Sequence, residues 1–253
     1  MIINNQIQII NDNVLHTNRI EDNSVNLIVT SPPYNLDIDY NSNDDNLNYE
    51  DYLKFSSKWM KRCFDWLKPD GRICLNIPMD TNKGGHRPTG SNLIQEALNV
   101  GLQYKTTIIW NKNTILTRTA WGSWKSASSP AILAPIEFIS VFYKDQWKKL
   151  NKGESTIERD EFIQWTNGLW TFGTASRKRI GHPAPFPIEL PNRCIKMFSY
   201  AGDTVLDPFV GSGTTLIAAY RNKRKSIGIE LDQEYYNLAI NRVKKETSQI
   251  ILC

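Results

Sequence analysis

The chain has 253 residues, 40% hydrophobic and 22% charged, which suits one α/β core with an insertion and excludes a disordered chain. Thirty Lys and Arg against 26 Asp and Glu leave a net charge of +4, a mild basic excess that permits a polyanionic partner without requiring one. Cys63, Cys74, Cys194 and Cys253 form no CxxC pair, which excludes a disulfide-stapled miniprotein and fits a reducing, cytoplasmic setting.

Residues 1–10 lack a basic start and a sustained apolar run, and no later stretch approaches the roughly eighteen apolar residues of a membrane span. The first clear element is VNLIVT at 25–30, a β-branched apolar run whose continuity predicts a strand buried on both faces. Residues 49–67 place Tyr52, Phe55, Trp59, Cys63 and Trp66 at three- and four-residue spacing, an amphipathic helix that Pro69, Asp70 and Gly71 end in a turn. A strand at 72–77, a helix at 91–100 with Ser91 as N-cap, and a strand at 104–110 follow.

The rhythm breaks at 111–135, resumes for one strand at 136–143, and breaks again over the polar, aromatic stretch 147–180. It then runs strand 203–207, helix 213–220, strand 226–230, helix 233–245. Strands alternating with helices imply a mostly parallel, doubly wound sheet of Rossmann-like α/β type.

The segment Asp207-Pro208-Phe209-Val210-Gly211-Ser212-Gly213-Thr214-Thr215 joins a predicted strand to a helix, so its glycines allow close backbone approach to a ligand at a helix start. No Lys follows the last glycine, which removes the P-loop, and Leu216 stands where a dinucleotide loop needs its third glycine. Glu230 ends the next strand, where a carboxylate can accept from both hydroxyls of a ribose. The pair points to an adenosine-bearing cofactor; the alternative is a tight turn beside a solvated glutamate.

Thr30-Ser31-Pro32-Pro33-Tyr34-Asn35 follows the apolar strand directly, at the end where open α/β sheets bind ligands. The prolines fix φ and remove two donors, leaving acceptors beside an aromatic ring that can stack on a planar heterocycle. The alternative is a proline-rich turn with a packing tyrosine.

TSPPYN together with DPFVGSGTT resembles the amino-group DNA methyltransferases that use S-adenosylmethionine, and the motif order is similar to their permuted β class. The likeness runs from Ile9 to Lys245. It implies a circularly permuted methyltransferase fold: a catalytic half at 1–146, a target-recognition region at 147–180 and a cofactor half at 181–253. It assigns catalysis to Ser31, Pro32, Pro33 and Tyr34. It assigns cofactor contacts to Asp207, Pro208, Phe209, Gly211, Ser212, Gly213, Thr214 and Glu230, with His182 in the preceding HPAPFPIEL segment and Asp12 toward the adenine. Implied partners are double-stranded DNA, a cognate restriction endonuclease and a second copy in a homodimer. Lys148, Lys149, Arg177, Lys178, Arg179 and Arg118 are the candidate DNA contacts, with Trp165, Trp170 and Phe172 bracing a small subdomain.

The implied chemistry needs positioning more than covalent catalysis. Acceptors at Ser31 Oγ and the Pro32 carbonyl hold the protons of an exocyclic amine while Tyr34 stacks on the extruded base. Pro followed by Cys occurs nowhere, so the ring-attack route to C5-methylcytosine has no nucleophile. Within the resemblance, Ser at the first tetrapeptide position favours N4 of cytosine and Asp would favour N6 of adenine. No metal is expected, since His16, His86 and His182 have no partners at ligand spacing.

Overall fold

The computed structural model describes residues 1–36, 47–82, 85–112, 122–132, 135–176 and 186–250, with side chains described to residue 248. Among the described residues nine strands form one sheet: β1 (Ile2–Ile3), β2 (Ile7–Asn11), β3 (Val25–Thr30), β4 (Leu67–Pro78), β5 (Gln103–Asn111), β6 (Ile136–Tyr143), β7 (Leu169–Thr171), β8 (Thr204–Asp207) and β9 (Lys225–Glu230). The strand order is β1-β2-β9-β8-β3-β4-β6-β5-β7. From β2 through β4 every neighbour is parallel, and β6 alone runs backwards between β4 and β5. The helices among the described residues are α1 (Tyr49–Trp66), α2 (Thr89–Asn99), α3 (Arg159–Trp165), α4 (Glu189–Phe198), α5 (Thr214–Arg221) and α6 (Gln233–Ile250).

β3 is buried at all six residues, as its unbroken apolar run requires, because helices cover both faces. One face packs Tyr52, Trp59, Met60, Cys63 and Trp66 of α1 and Leu93 and Ala97 of α2 on Val25, Ile28, Ile73 and Leu206. The other packs Leu190, Cys194, Ile195 and Phe198 of α4 and Ala218 and Ala219 of α5 on Leu27, Val29, Cys74 and Val205. A smaller cluster seats Ala239 and Val243 of α6 against Ile7, Ile9 and Leu216. α1 starts where Asn48 accepts from the Asp51 amide at 3.0 Å, with Glu50 and Asp51 complementing the helix dipole.

Two local expectations are corrected. α2 begins at Thr89, after Pro88, with no side-chain cap, so Ser91 lies inside its first turn; Gly90 sits so close to Pro78 that a Cβ would lie 2.7 Å from the Pro78 carbonyl oxygen. Residues 68–71 do not end in a free turn but belong to β4, as a bulge between the pairs Val25 with Leu67 and Leu27 with Arg72. The Gly71 and Pro69 carbonyls accept from the amides of Lys144 and Asp145, which ties the bulge to the end of β6.

The stretch expected to be the target-recognition region is, as far as residue 176, attached to the same sheet. β7 pairs in parallel with β5, and Trp165 and Trp170 are buried in the main core. Arg193 of α4 lies over the rings of Trp165, Trp170 and Phe172 at 5.2, 5.4 and 4.9 Å. No helix among the described residues is long and apolar enough to cross a membrane. Since the Trp170 indole is fully buried and donates to the Trp165 carbonyl at 3.0 Å, Trp170→Ala should lower stability by about 3–5 kcal/mol, measured as an earlier urea midpoint with unchanged slope.

Candidate active site at the carboxyl ends of the strands

The parallel strands β2, β9, β8, β3 and β4 present their carboxyl ends to one side of the sheet, and β6, being antiparallel, brings its beginning there. One cavity of about 410 Å³ opens at this edge, within the range of small-molecule sites. Its wall includes Asp12, Ser31 to Tyr34, Pro208 to Ser212, Thr214 and Glu230, so the two motifs, which lie far apart in sequence, line a single space.

Asp207 stands behind that wall, 1% exposed. Its carboxylate accepts from Thr30 Oγ1 at 2.8 Å, Thr215 Oγ1 at 2.6 Å and the Phe209 amide at 3.1 Å. Burial pushes this carboxyl up to about 6, against the pull of those donors. Its role is to join the end of β3, the end of β8 and the start of α5, while Pro208 and Phe209 face the cavity. Phe209 is held edge-on against Trp59 at 5.2 Å.

Gly213 enters α5 at φ +81, a left-handed conformation costly for other residues. From α6, Arg242 Nη1 donates to the Ser212 carbonyl, Ser212 Oγ and Thr214 Oγ1 at 3.0, 2.9 and 2.8 Å, bracing the loop from outside. Glu230 Oε2 accepts the Gly211 amide at 2.8 Å and Oε1 the Asp232 amide at 3.0 Å, and each oxygen keeps a lone pair. Burial raises this carboxyl to about 7. Asp12 is tied to the same strand end, its amide donating to the Glu230 carbonyl at 3.0 Å.

On the other side of the cavity, Ser31 Oγ and Tyr34 OH lie 2.7 Å apart. The phenol also lies within 3.2 Å of the Asn76 carbonyl and of Glu137 Oε2, and accepts from Asn76 Nδ2 at 2.9 Å. Asn76 Nδ2 donates to Glu137 Oε2 at 2.7 Å, and Lys112 pairs with the other carboxylate oxygen. Burial and the nearby Glu137 charge hold the Tyr34 phenol well above the usual tyrosine range, so it stays protonated. Below the tetrapeptide, Tyr52 OH donates to the Pro33 carbonyl at 3.0 Å. Asn35 exchanges bonds with the backbone of Leu47, Nδ2 to O at 2.8 Å and N to Oδ1 at 2.9 Å.

Asn76, Lys112 and Glu137 were not among the residues the sequence singled out. The available signal was a polar residue interrupting an apolar strand near its cavity end, CLNIP for Asn76 and IEFISVFY for Glu137. Lys148 and Lys149, expected as DNA contacts, are not among the residues lining the cavity. Lys149 Nζ donates to the Asn26 carbonyl near the beginning of β3, and the neighbouring Trp147 carbonyl accepts from Arg72 near the beginning of the regular part of β4. This is the opposite edge of the sheet from Ser31. Burial there lowers the Lys149 ammonium from its usual range. Arg118, Arg177, Lys178, Arg179 and His182 lie outside the described residues; Phe186, just after the last of these, lines the cavity.

A Rossmann-like sheet with a glycine loop, a carboxylate one strand over and the Ser-Pro-Pro-Tyr tetrapeptide on the adjacent strand forms a site of the nucleoside-cofactor class. A family model described as DNA methylase matches residues 25–241, and the chain belongs to this family of N6- and N4-directed amino-methyltransferases. It is 54% identical to the Type II methyltransferase M.MjaVI of Methanocaldococcus jannaschii over 176 residues, 70% of this chain and 90% of the relative. It is 32% identical to M.HpaI of Haemophilus parainfluenzae over 231 residues, 90% and 70% of the two chains. Among solved structures, TTHA0409 of Thermus thermophilus complexed with S-adenosyl-L-methionine matches with a TM-score of 0.74 at 28% identity, covering 94% and 93%. The cytosine-N4-specific PvuII DNA methyltransferase shares the fold, with a TM-score of 0.73 at 21% identity over 96% and 90%.

The cofactor is S-adenosylmethionine. The donor set fits it: a half-buried carboxylate with a spare lone pair on each oxygen suits two ribose hydroxyls, and the backbone at Gly211 comes close without a side chain. Removing the carboxylate that joins the two motifs would strand two hydroxyls and an amide. Asp207→Ala should therefore cost about 3 kcal/mol of stability and weaken S-adenosylmethionine binding, read by thermal unfolding and calorimetry.

Proposed function

We propose that this enzyme transfers a methyl group to N4 of a cytosine extruded from duplex DNA, at a specific sequence, as the modification enzyme of a type II restriction system. The observation that carries the reading is Ser31: a neutral hydroxyl, not a carboxylate, stands first in the tetrapeptide and lines the same cavity as the cofactor loop. The names of M.MjaVI and M.HpaI support the type II role. The chain order, tetrapeptide strand β3 before cofactor-loop strand β8, supports the permuted class.

In this reading Glu230 holds the ribose hydroxyls, Asp12 lies toward the adenine, and Phe209 and the Gly211 to Gly213 backbone line the rest of the cofactor's path. His182 belongs to the segment preceding Phe186, on the methionine side. The bound cofactor supplies an electrophilic methyl on a positively charged sulfur. Ser31 accepts from the target amine, Tyr34 stacks on its ring, and together they aim the nitrogen lone pair. Extrusion costs a few kcal/mol, offset by these contacts. Arg118, Arg177, Lys178 and Arg179 remain the proposed DNA contacts, because their segments follow β5 and β7, which end on the cavity side. Exposed Trp124, with Lys125 beside its ring, joins them. A cognate endonuclease and a homodimer belong to the same proposal.

The test is incubation with methyl-labelled S-adenosylmethionine and unmethylated genomic DNA, followed by nucleoside mass spectrometry. N4-methylcytosine is expected; N6-methyladenine would overturn the base assignment and keep the enzyme class. A second prediction concerns pH. Ribose hydroxyls donating to Glu230 favour its ionised form, so its pKa falls from about 7 in the free protein when cofactor binds. Cofactor affinity should be full above pH 7 and weaken as pH drops below it, approaching tenfold per unit, and Glu230→Gln should flatten that dependence in calorimetric titrations.

A further inference from the structure

A serine hydroxyl can donate or accept, and the two cases have opposite consequences for an amine. An oxygen with free lone pairs receives an N–H of the target; an O–H pointed at the same nitrogen competes for the lone pair that must attack. The Ser31 and Tyr34 hydroxyls face each other at 2.7 Å, and either can be the donor. Something beyond the pair must set the direction.

Resting on the function proposed above, we infer that Glu137 is a positioning residue that orients this hydroxyl pair, so that Ser31 meets the target amine as an acceptor. As a carboxylate Glu137 offers only acceptors, and Lys112 pairs with its other oxygen. Its Oε2 takes one proton of the Asn76 amide at 2.7 Å, which fixes that amide, since a flip would turn oxygen onto carboxylate. The other Asn76 proton goes to Tyr34 OH at 2.9 Å, with Ser31 Oγ a longer contact of the same nitrogen at 3.4 Å. The phenolic proton then has Glu137 Oε2 and the Asn76 backbone carbonyl as acceptors, both at 3.2 Å. With that proton drawn away from the cavity, Ser31 donates to Tyr34 and keeps a lone pair for the cavity. In Glu137→Gln the Lys112 ammonium claims the amide oxygen and turns the –NH2 toward Tyr34 and Asn76. The phenol loses its carboxylate acceptor and shares its proton between the Asn76 backbone carbonyl and Ser31, so the Ser31 proton is released toward the cavity.

The experiment first maps the methylated site from wild-type product. Full-length wild type and E137Q are then compared, without cofactor, for binding to a duplex carrying the target amine and to one with a carbonyl in its place, uracil for cytosine or hypoxanthine for adenine. Any mismatch effect is common to both proteins. Wild type should favour the amine relative to E137Q by about tenfold. E137Q should also lose about tenfold in kcat with its KM for S-adenosylmethionine unchanged, and this loss should vanish in a Ser31→Ala background. An unchanged amine preference in E137Q, or a loss undiminished in Ser31→Ala, would overturn the inference. Tyr34→Phe, which keeps the ring and breaks the chain, gives the same readout if E137Q fails to fold. If wild type labels no DNA base at all, the functional reading falls, and the inference with it.

Discussion

The carboxylate of Asp207 is the constraint on which the rest of the site depends. It is buried, its charge is opposed by its surroundings, and three donors converge on it from three elements: Thr30 at the end of β3, Phe209 in the glycine loop and Thr215 on α5. A buried acceptor of this kind is costly unless every partner is in place, so the arrangement is close to all-or-none. The residue after Thr30 is the first of the Ser-Pro-Pro-Tyr tetrapeptide. Cofactor loop and tetrapeptide are therefore fixed to one oxygen pair, and their separation across the cavity follows from hydrogen-bond lengths.

A second network, from Ser31 through Tyr34 and Asn76 to Glu137 and Lys112, does for orientation what Asp207 does for position. Its acceptor enters from the one reversed strand in the centre of the sheet. In a fully parallel sheet the carboxyl edge is supplied by strand ends and the loops that follow them. A reversed strand supplies its first residues instead, so Glu137 is held by β4 on one side and β5 on the other, opposite Pro78 and Trp110.

Much of this was legible in the sequence, for definable reasons. VNLIVT and DTVLD are short apolar runs next to motifs, and the α1 stripe is strongly periodic, so their elements match to within a residue. β2 went unread because IQIIN is brief and follows a polar turn. α4 went unread because Pro191 and Asn192 interrupt its periodicity, although Pro near a helix start leaves no backbone bond broken. β7 has three residues and owes its place to β5. That Lys149 sits at the opposite edge of the sheet from Ser31 was not legible, because composition reports charge and not which edge carries it. Glu137 was invisible because its partners come from other strands and only the sheet order brings them together.

The pairing of Asn35 with Leu47 has a consequence for how such an enzyme diversifies. An asparagine side chain that donates to and accepts from one backbone residue imitates a rung of a sheet ladder, closing the base of the intervening segment independently of its content. Length added beyond such a rung costs only slowly growing closure entropy. A change in length between the two residues is thus met by this rung, ahead of Tyr34 and the start of α1.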